Sequence, residues 1–597
     1  MPLKFLLLLA LLAGVVSAGA KNVVLVTAGG DWRYLADGSN PQQAWLDPKF
    51  HALEWPLGRA QFGYGGDEVT TLPTAPNGGR PITTYFHKVF TVSNPKPYTA
   101  LLVRLLRDAG AVVYLNGVEI ARSNMTGGAV NFQTPALTEA YGRDSGTFFP
   151  IHAPKTALVR GVNVLAVELH QTSANDAAAS FDCELVATTL ASPTFVLRGP
   201  YLQNVSQNAA TIRWRTDVPT ASYLKWGGSK RSTRNGLKDD TLTTEHELRI
   251  VGLAPDSVYY YAIGAGTGFM EGNDTAHWVR TLPAPGAVKP LRFWVIGDPG
   301  TGGDGTGRAE RVLAGYMASP LFRHADGWLM LGDNAYDNGA DSEYQNAVFE
   351  TFRKVLPNTP LWSTIGNHET YTPGIPYFDI FTLPAAGEAG GVASGTERYY
   401  SFDFGNVHFV CLDSMTSIRQ PGSPMLVWLD NDLAATNQRW TIAFWHHPPY
   451  SHGSHNSDSE SELIEMRENA LPILESHGVD LVLAGHSHSY ERSFLIDGHY
   501  GHSLTLDPSM IKDGGDGRGD GDGAYTKLVQ THAGAVYTVC GVSGKVGGGP
   551  LNHPVMFTSL ATLGSIALDV SGDRLDAHFI DSTGAELDHF TIVKPAP

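Results

Sequence analysis

The sequence predicts a multidomain protein, two β-sandwiches in the N-terminal half followed by an α/β domain. Three observations carry this. A chain of 597 residues is long enough for about three or four domains. Up to about residue 285, short runs alternate apolar and polar residues and are punctuated by Gly, Pro, Asn and Asp, the signature of strands and turns. From about residue 290, apolar strands alternate instead with helical stretches, as in an α/β domain. Abundant glycine (66) and proline (36) suit a turn-rich fold.

Composition narrows the function. With 42% hydrophobic and 17% charged residues, a disordered chain is excluded. A formal net charge of −17 argues against a nucleic-acid scaffold binder. Three distant cysteines, Cys183, Cys411 and Cys540, cannot build a disulfide framework or a thiolate zinc site.

Residues 1–20 read as a secretory signal peptide. Lys4 precedes the apolar run Phe5–Ala13, and Val16-Ser17-Ala18-Gly19-Ala20 offers small-residue cleavage sites. The expected location is therefore secreted, extracellular or periplasmic. No later stretch reaches the ~18–20 apolar residues of a membrane span. Sequons stand at Asn124, Asn204 and Asn273.

Residues 21–191 form the first predicted sandwich. Leu101–Leu106, Ala111–Leu115 and Asn163–His170 read as strands, and Asn116-Gly117 marks a two-residue hairpin. Trp32-Arg-Tyr-Leu, Gln61-Phe-Gly-Tyr-Gly65 and Val113-Tyr-Leu-Asn-Gly117 resemble the galactose-binding-like jelly-roll modules of secreted enzymes. That resemblance leaves carbohydrate open as a ligand, through exposed aromatics, while Trp32, Trp45 and Trp55 suit the core of such a sandwich. Residues 192–286 form the second. Ala210–Arg215 and Ser222–Trp226 alternate, and Gly252-Leu-Ala-Pro-Asp-Ser-Val-Tyr259 resembles the loop and tyrosine corner of a fibronectin type III-like domain.

Residues 287–597 carry the chemistry. Gly297-Asp298-Pro-Gly300, Gly332-Asp333-Asn-Ala-Tyr336, Gly366-Asn367-His368-Glu369, His446-His447 and Gly485-His486-Ser-His488 each follow an apolar strand. Ligands belong at the carboxyl ends of strands in such domains, and glycine permits the tight turn. Nine of the 22 histidines lie between 446 and 502. Carboxylate, amide oxygen, phenol and imidazole suit a pair of iron, zinc or manganese ions. Asp513-Gly-Gly-Asp516-Gly-Arg-Gly-Asp520-Gly-Asp522-Gly523 has spaced carboxylates of a kind that bind Ca²⁺, but lacks the EF-hand spacing and its final Glu. A solvated loop is the other reading.

In that order the five motifs closely resemble the purple acid phosphatases, a branch of the calcineurin-like metallophosphoesterase superfamily. The tyrosine of the second motif distinguishes this branch, and a fibronectin-like module before the catalytic domain fits it. The resemblance implies a catalytic β-sandwich flanked by helices. It also implies a binuclear centre, Fe(III) plus divalent Fe, Zn or Mn. Asp298, Tyr336 and His488 would hold the first metal, Asn367, His446 and His486 the second, and Asp333 would bridge. The spacings from Trp440 and to His455 favour His446 over His447, which is the fallback. His368 and His455 match the family's outer-sphere histidines, and His452 lies in the same loop.

The implied activity is hydrolysis of small phosphate esters, monoesters first, by attack of a metal-bound hydroxide. A phosphodiesterase or nucleotidase is the alternative on the same site. A carbohydrate-anchored adhesion protein with an idle hydrolase domain is the alternative from another class. None of the motifs falls within 21–190, so that block should be dispensable for turnover of a small ester.

Overall fold

The computed structural model describes residues 21–595 apart from 67, 75–78, 141–145, 231–232, 267 and 305. The predicted leader, 1–20, lies outside the described residues. Among the described residues no helix is long and apolar enough to cross a membrane, and the three cysteines are buried and free.

Two six-stranded, largely antiparallel sheets contain the first strands. One runs 148–153, 100–108, 179–188, 62–64, 70–71, with 22–26 beside 179–188. The other runs 57–59, 31–35, 83–92, 161–170, 110–115, 118–123. Alternate residues of both meet in a core where Phe86 stacks on Phe181 at 3.9 Å and Trp32 meets the same ring edge-on. The predicted hairpin is present: Gly110–Leu115 pairs with Val118–Ser123, and Asn116 and Gly117 both have positive φ, as a type I′ turn needs. Trp32, Trp45 and Trp55 are all buried. They cannot stack on a sugar from solvent, and nothing else in the fold favours a carbohydrate ligand.

A third sheet follows, in the order 196–203, 209–227, 258–265, 268–272, with 235–251 beside 209–227 and 278–280 beside 258–265. The Ala254 N–H donates to the Tyr259 hydroxyl at 2.9 Å, the upstream backbone contact expected of a tyrosine corner. This sheet is docked on the C-terminal half through buried groups. Tyr201 donates to Ile380 O and Tyr261 to Pro357 O, both at 2.7 Å, and fully buried Arg198 pairs with Asp341.

The C-terminal half contains two seven-stranded sheets. The first is ordered 361–363, 327–330, 291–296, 564–571, 574–581, 586–593, 525–526, with its first three strands parallel. The second is ordered 400–404, 407–411, 440–445, 481–484, 536–540, 490–493, 556–560, with 407–411 through 536–540 parallel. Phe293, Trp362, Phe402 and Phe409 fill the space between them. Helices Arg308–Ala318 and Pro424–Ala435 lie outside. A further helical stretch runs from Ser461 to Ser476. It widens to a π register at Met466–Ala470 just before Pro472, which has no N–H to continue the α pattern.

The aspartates of the 513–523 loop have backbone and side-chain partners. Asp520 binds Arg518 and His589, while Asp516 and Asp522 accept each other's backbone N–H. Asp516 and Asp522 meet each other, but no three ligand atoms of this loop converge among the described residues, so the calcium expectation has no support. Asn204 is buried, which removes it as a surface sequon.

Candidate metal centre

Both C-terminal sheets end at one place. Asp298, Asp333 and Asn367 leave the strands Leu291–Ile296, Gly327–Met330 and Leu361–Ser363 of one sheet. His446, His486 and His488 leave Trp440–Trp445 and Leu481–Ala484 of the other. Asp298, Asp333 and His486 have φ of 56°, 49° and 66°, left-handed conformations that cost energy in non-glycine residues and cluster at functional sites. The glycines make room for neighbours. A Cβ on Gly485 would lie 2.5 Å from Asp298 Oδ2, and one on Gly366 would lie 2.3 Å from Asp333 Oδ1.

The seven side chains form two groups around Asp333. Asn367 Oδ1 is 3.1 Å from His446 Nε2 and 3.1 Å from His486 Nδ1, and those nitrogens are 3.2 Å apart. Tyr336 Oη is 3.1 Å from Asp298 Oδ1 and 3.2 Å from His488 Nε2. Asp333 Oδ1 stands 3.3 Å from His446 Nε2, and its carboxylate also interacts with the Tyr336 phenol. Ligands about 2.0–2.1 Å from one cation in tetrahedral geometry lie about 3.3 Å apart, close to the edges of the first group. Oriented partners support it: His446 Nδ1 faces Leu331 O at 2.8 Å, and the Asn367 amide N–H donates to Tyr371. These leave His446 Nε2 and Asn367 Oδ1 as free electron pairs.

Electrostatics point the same way. Burial, reinforced by Asp333, pushes the Asp298 carboxyl well above its usual range. Burial also pushes the Tyr336 phenol well up, with Asp298 and Asp333 adding to it. Burial holds His446 down at about 4 and His488 at about 3, so both imidazoles offer lone pairs. Two buried carboxylates and a phenol in one space need positive charge to be stable as anions. The donor set therefore fits two cations.

The surrounding histidines separate. His368 Nδ1 is held by Asp337 O at 2.6 Å, and its Nε2 lies 3.8 Å from Asp333 Oδ2, with its ring edge-on to Tyr336. His455 lies against the His486 ring at 3.7 Å, with Nδ1 on Glu460. His447 is buried beside His486 but is held by Ser414 Oγ, whereas His446 meets Asn367 and Asp333. His452, although in the same loop, turns to Asp458, Asn552 and His553. Loop membership does not tell which way a side chain faces, and His452 does not join the centre.

Sequence reasoning missed three contributors. Glu369 is fully buried and accepts N–H groups from Gly366, Asp333, Asn334 and Ala335, clamping the Asp333 turn. Glu460 accepts from His455 and contacts His486. Lys545 reaches from the loop after Val536–Cys540 and places Nζ 3.5 Å from the Tyr336 ring centroid. Glu369 stands in a quoted motif without an assigned role. Lys545 sits in a glycine-rich stretch whose spacing carries no signal.

Residues 291–490 match the calcineurin-like phosphoesterase family. Purple acid phosphatase 15 of Arabidopsis thaliana is 25% identical, over 64% of this chain and 78% of its own. Probable purple acid phosphatase 20 of the same plant is 33% identical, over 49% of this chain and 68% of its own. The structure of the purple acid phosphatase PPD1 from yellow lupin (Lupinus luteus) seeds aligns with 86% of this chain and 93% of its own, at TM-score 0.53 and 17% identity. That likeness extends the shared fold into the N-terminal sandwiches. The chain belongs to the purple acid phosphatase branch of the calcineurin-like metallophosphoesterases, and is a metal-dependent phosphoric ester hydrolase.

Proposed function

We propose that the protein is an exported binuclear metallohydrolase acting on small phosphate monoesters. One observation carries the reading: two groups of three donors, one from each side, share the Asp333 carboxylate. Asp298, Tyr336 and His488 would hold Fe(III), and Asn367, His446 and His486 would hold divalent Fe, Zn or Mn, with Asp333 between them. When bound, such a pair lowers the pKa of a coordinated water and neutralises phosphoryl charge.

The chain's own groups supply the rest. The Lys545 ammonium faces the same space, within electrostatic reach of the Asp298 carboxylate. It is placed to bind an anionic phosphoryl oxygen, an interaction strengthened where water is excluded. His368, oriented by Asp337 O, and His455, oriented by Glu460, are placed to give a proton to the departing oxygen. Export rests on the leader over 1–20. The division into a jelly-roll at 21–191, a fibronectin type III-like domain at 192–286 and a catalytic domain at 287–597 follows the sheet boundaries.

An aryl phosphate monoester assayed beside the matching diester, with elemental analysis of the same protein, tests the reading. Two metals per chain, iron among them, and faster monoester turnover are expected. Preferential diester cleavage would replace the substrate class, and one metal or none in active protein would overturn the binuclear centre.

A further inference from the structure

His452 turns away from the binuclear centre into a second cluster. Its Nε2 lies 3.2 Å from Asp458 Oδ2, and its ring is 4.7 Å from that of His553. One ligand atom from each of His452, Asp458 and His553 lies within 4.8 Å of the others. We propose that these three side chains form a separate site for a divalent transition cation of the zinc or manganese class, tying the Tyr450–Asp458 segment to the Asn552–His553 turn.

Two observations support a ligand rather than a plain hydrogen-bonded loop. His452 lies between two acceptors, with Nδ1 3.0 Å from Asn552 Oδ1 and Nε2 facing Asp458 Oδ2. A neutral imidazole has one N–H, so one nitrogen presents a lone pair to an oxygen unless a proton or a cation intervenes. With Nδ1–H given to Asn552, Nε2 is oriented as a metal-bound histidine is by its outer partner. Next, His553 is 2% exposed and its Nε2 has no hydrogen-bond partner among the described residues. Its other nitrogen has only a 3.4 Å contact from the Val555 N–H. A buried nitrogen left unpaired costs free energy, and a cation would satisfy it.

The geometry is partly set. The 3.2 Å separation of His452 Nε2 and Asp458 Oδ2 is close to the about 3.3 Å edge of a tetrahedral site. Asp458 is held by the Ser503 N–H through its other oxygen, at 2.8 Å. His502 Nε2, 3.7 Å from Asp458 Oδ2 and half exposed, stands at the rim where a fourth ligand or water would complete the shell. Two imidazoles and one carboxylate favour Zn²⁺, Mn²⁺ or Fe²⁺ over Ca²⁺. His455 lies between His452 and Asp458 in the chain, so an ion here would stiffen the segment that carries it.

The test uses the full-length protein with its binuclear centre loaded and loose ions removed. Zn²⁺ is added in equilibrium dialysis, and total metal is counted per chain. The wild type is expected to hold one more Zn²⁺ than His553→Gln and Asp458→Asn, and Zn²⁺ is expected to raise its melting temperature but not theirs. Asp333→Asn is expected to keep the additional ion, which separates this site from the catalytic pair. Equal counts in wild type and a folded His553→Gln or Asp458→Asn would overturn the site. So would loss of the extra ion in Asp333→Asn.

Discussion

The Lys545 ammonium nitrogen stands 3.5 Å from the centroid of the Tyr336 ring, above a phenol that also touches Asp298 and His488. The loop that delivers it is fixed by close packing: a Cβ on Gly544 would lie 2.5 Å from Asp298 O. Lys545→Met is expected to raise KM and to weaken inhibition by inorganic phosphate about tenfold, the loss of one charge-assisted hydrogen bond. Removing a positive charge from above a bound phenolate should also shift its charge-transfer band to longer wavelength, with metal content unchanged. Steady-state kinetics and a visible spectrum check both. An unaltered KM and phosphate inhibition would leave Lys545 without a phosphate-binding role.

Tyr336 and Asp333 should fail differently. A phenolate on Fe(III) absorbs in the visible, so concentrated protein is expected to be pink to purple. Tyr336→Phe should bleach it while the other six candidate ligands stay in place. Asp333→Ala removes the group common to both sets of donors, and both metals and activity should be lost together. Elemental analysis beside the spectrum distinguishes the two variants. Colour persisting in Tyr336→Phe would exclude Tyr336 as the ligand.

The candidate ligands were legible because each sits within a few residues of an apolar strand's end, and all but His446 follow a tight turn written in glycine. Their division between two sheets was not. The first sheet is completed by Gly564–Ser571, Arg574–Asp581 and Glu586–Val593. Nothing in the run Leu291–Ile296 names a partner so distant in the chain. The direction of His452 was likewise hidden, because it depends on Asn552 and His553, about a hundred residues away. Lys545 was hidden for the same reason: its position follows from packing of Gly544 on Asp298, a contact between distant segments.

The first sandwich is tied to the catalytic half more firmly than the placement of the motifs suggested. Arg104 and Glu184, on neighbouring strands of the sandwich, pair with Glu350 and Arg353. Gly146 packs directly on Gly303 of the Asp298 loop, and Asn346 donates to Thr147 at 2.7 Å. Removing one partner of a buried ionic network leaves an uncompensated charge, at a cost of about 3–5 kcal/mol. Arg104→Ala is therefore expected to lower stability by about 3 kcal/mol. A chain beginning near residue 193 should melt well below the full-length protein, even where it retains turnover. Equal melting temperatures in calorimetry would show that the contact contributes nothing to stability.

The fold should lose stability at alkaline pH. His408, buried in the second catalytic sheet, has Nδ1 2.8 Å from Asp403 and Nε2 2.9 Å from Asp432. Burial alone would lower its pKa, but the two carboxylate hydrogen bonds outweigh it and push the imidazolium up to about 9. A group raised in the folded state stabilises the fold fully below its unfolded pKa of about 6.5, and that contribution disappears as pH rises through its folded value. The window is therefore about pH 6.5 to 9, and the contribution is at most on the order of 3 kcal/mol. His277, bound to Asp274 and raised to about 9 as well, adds a slope of the same sign. Denaturant unfolding at pH 6 and pH 9.5 should show the wild type losing stability across this interval. His408→Gln should be less stable at pH 6 and should lose less between the two values. An identical pH slope in the variant would mean that His408 is not charged in the folded protein.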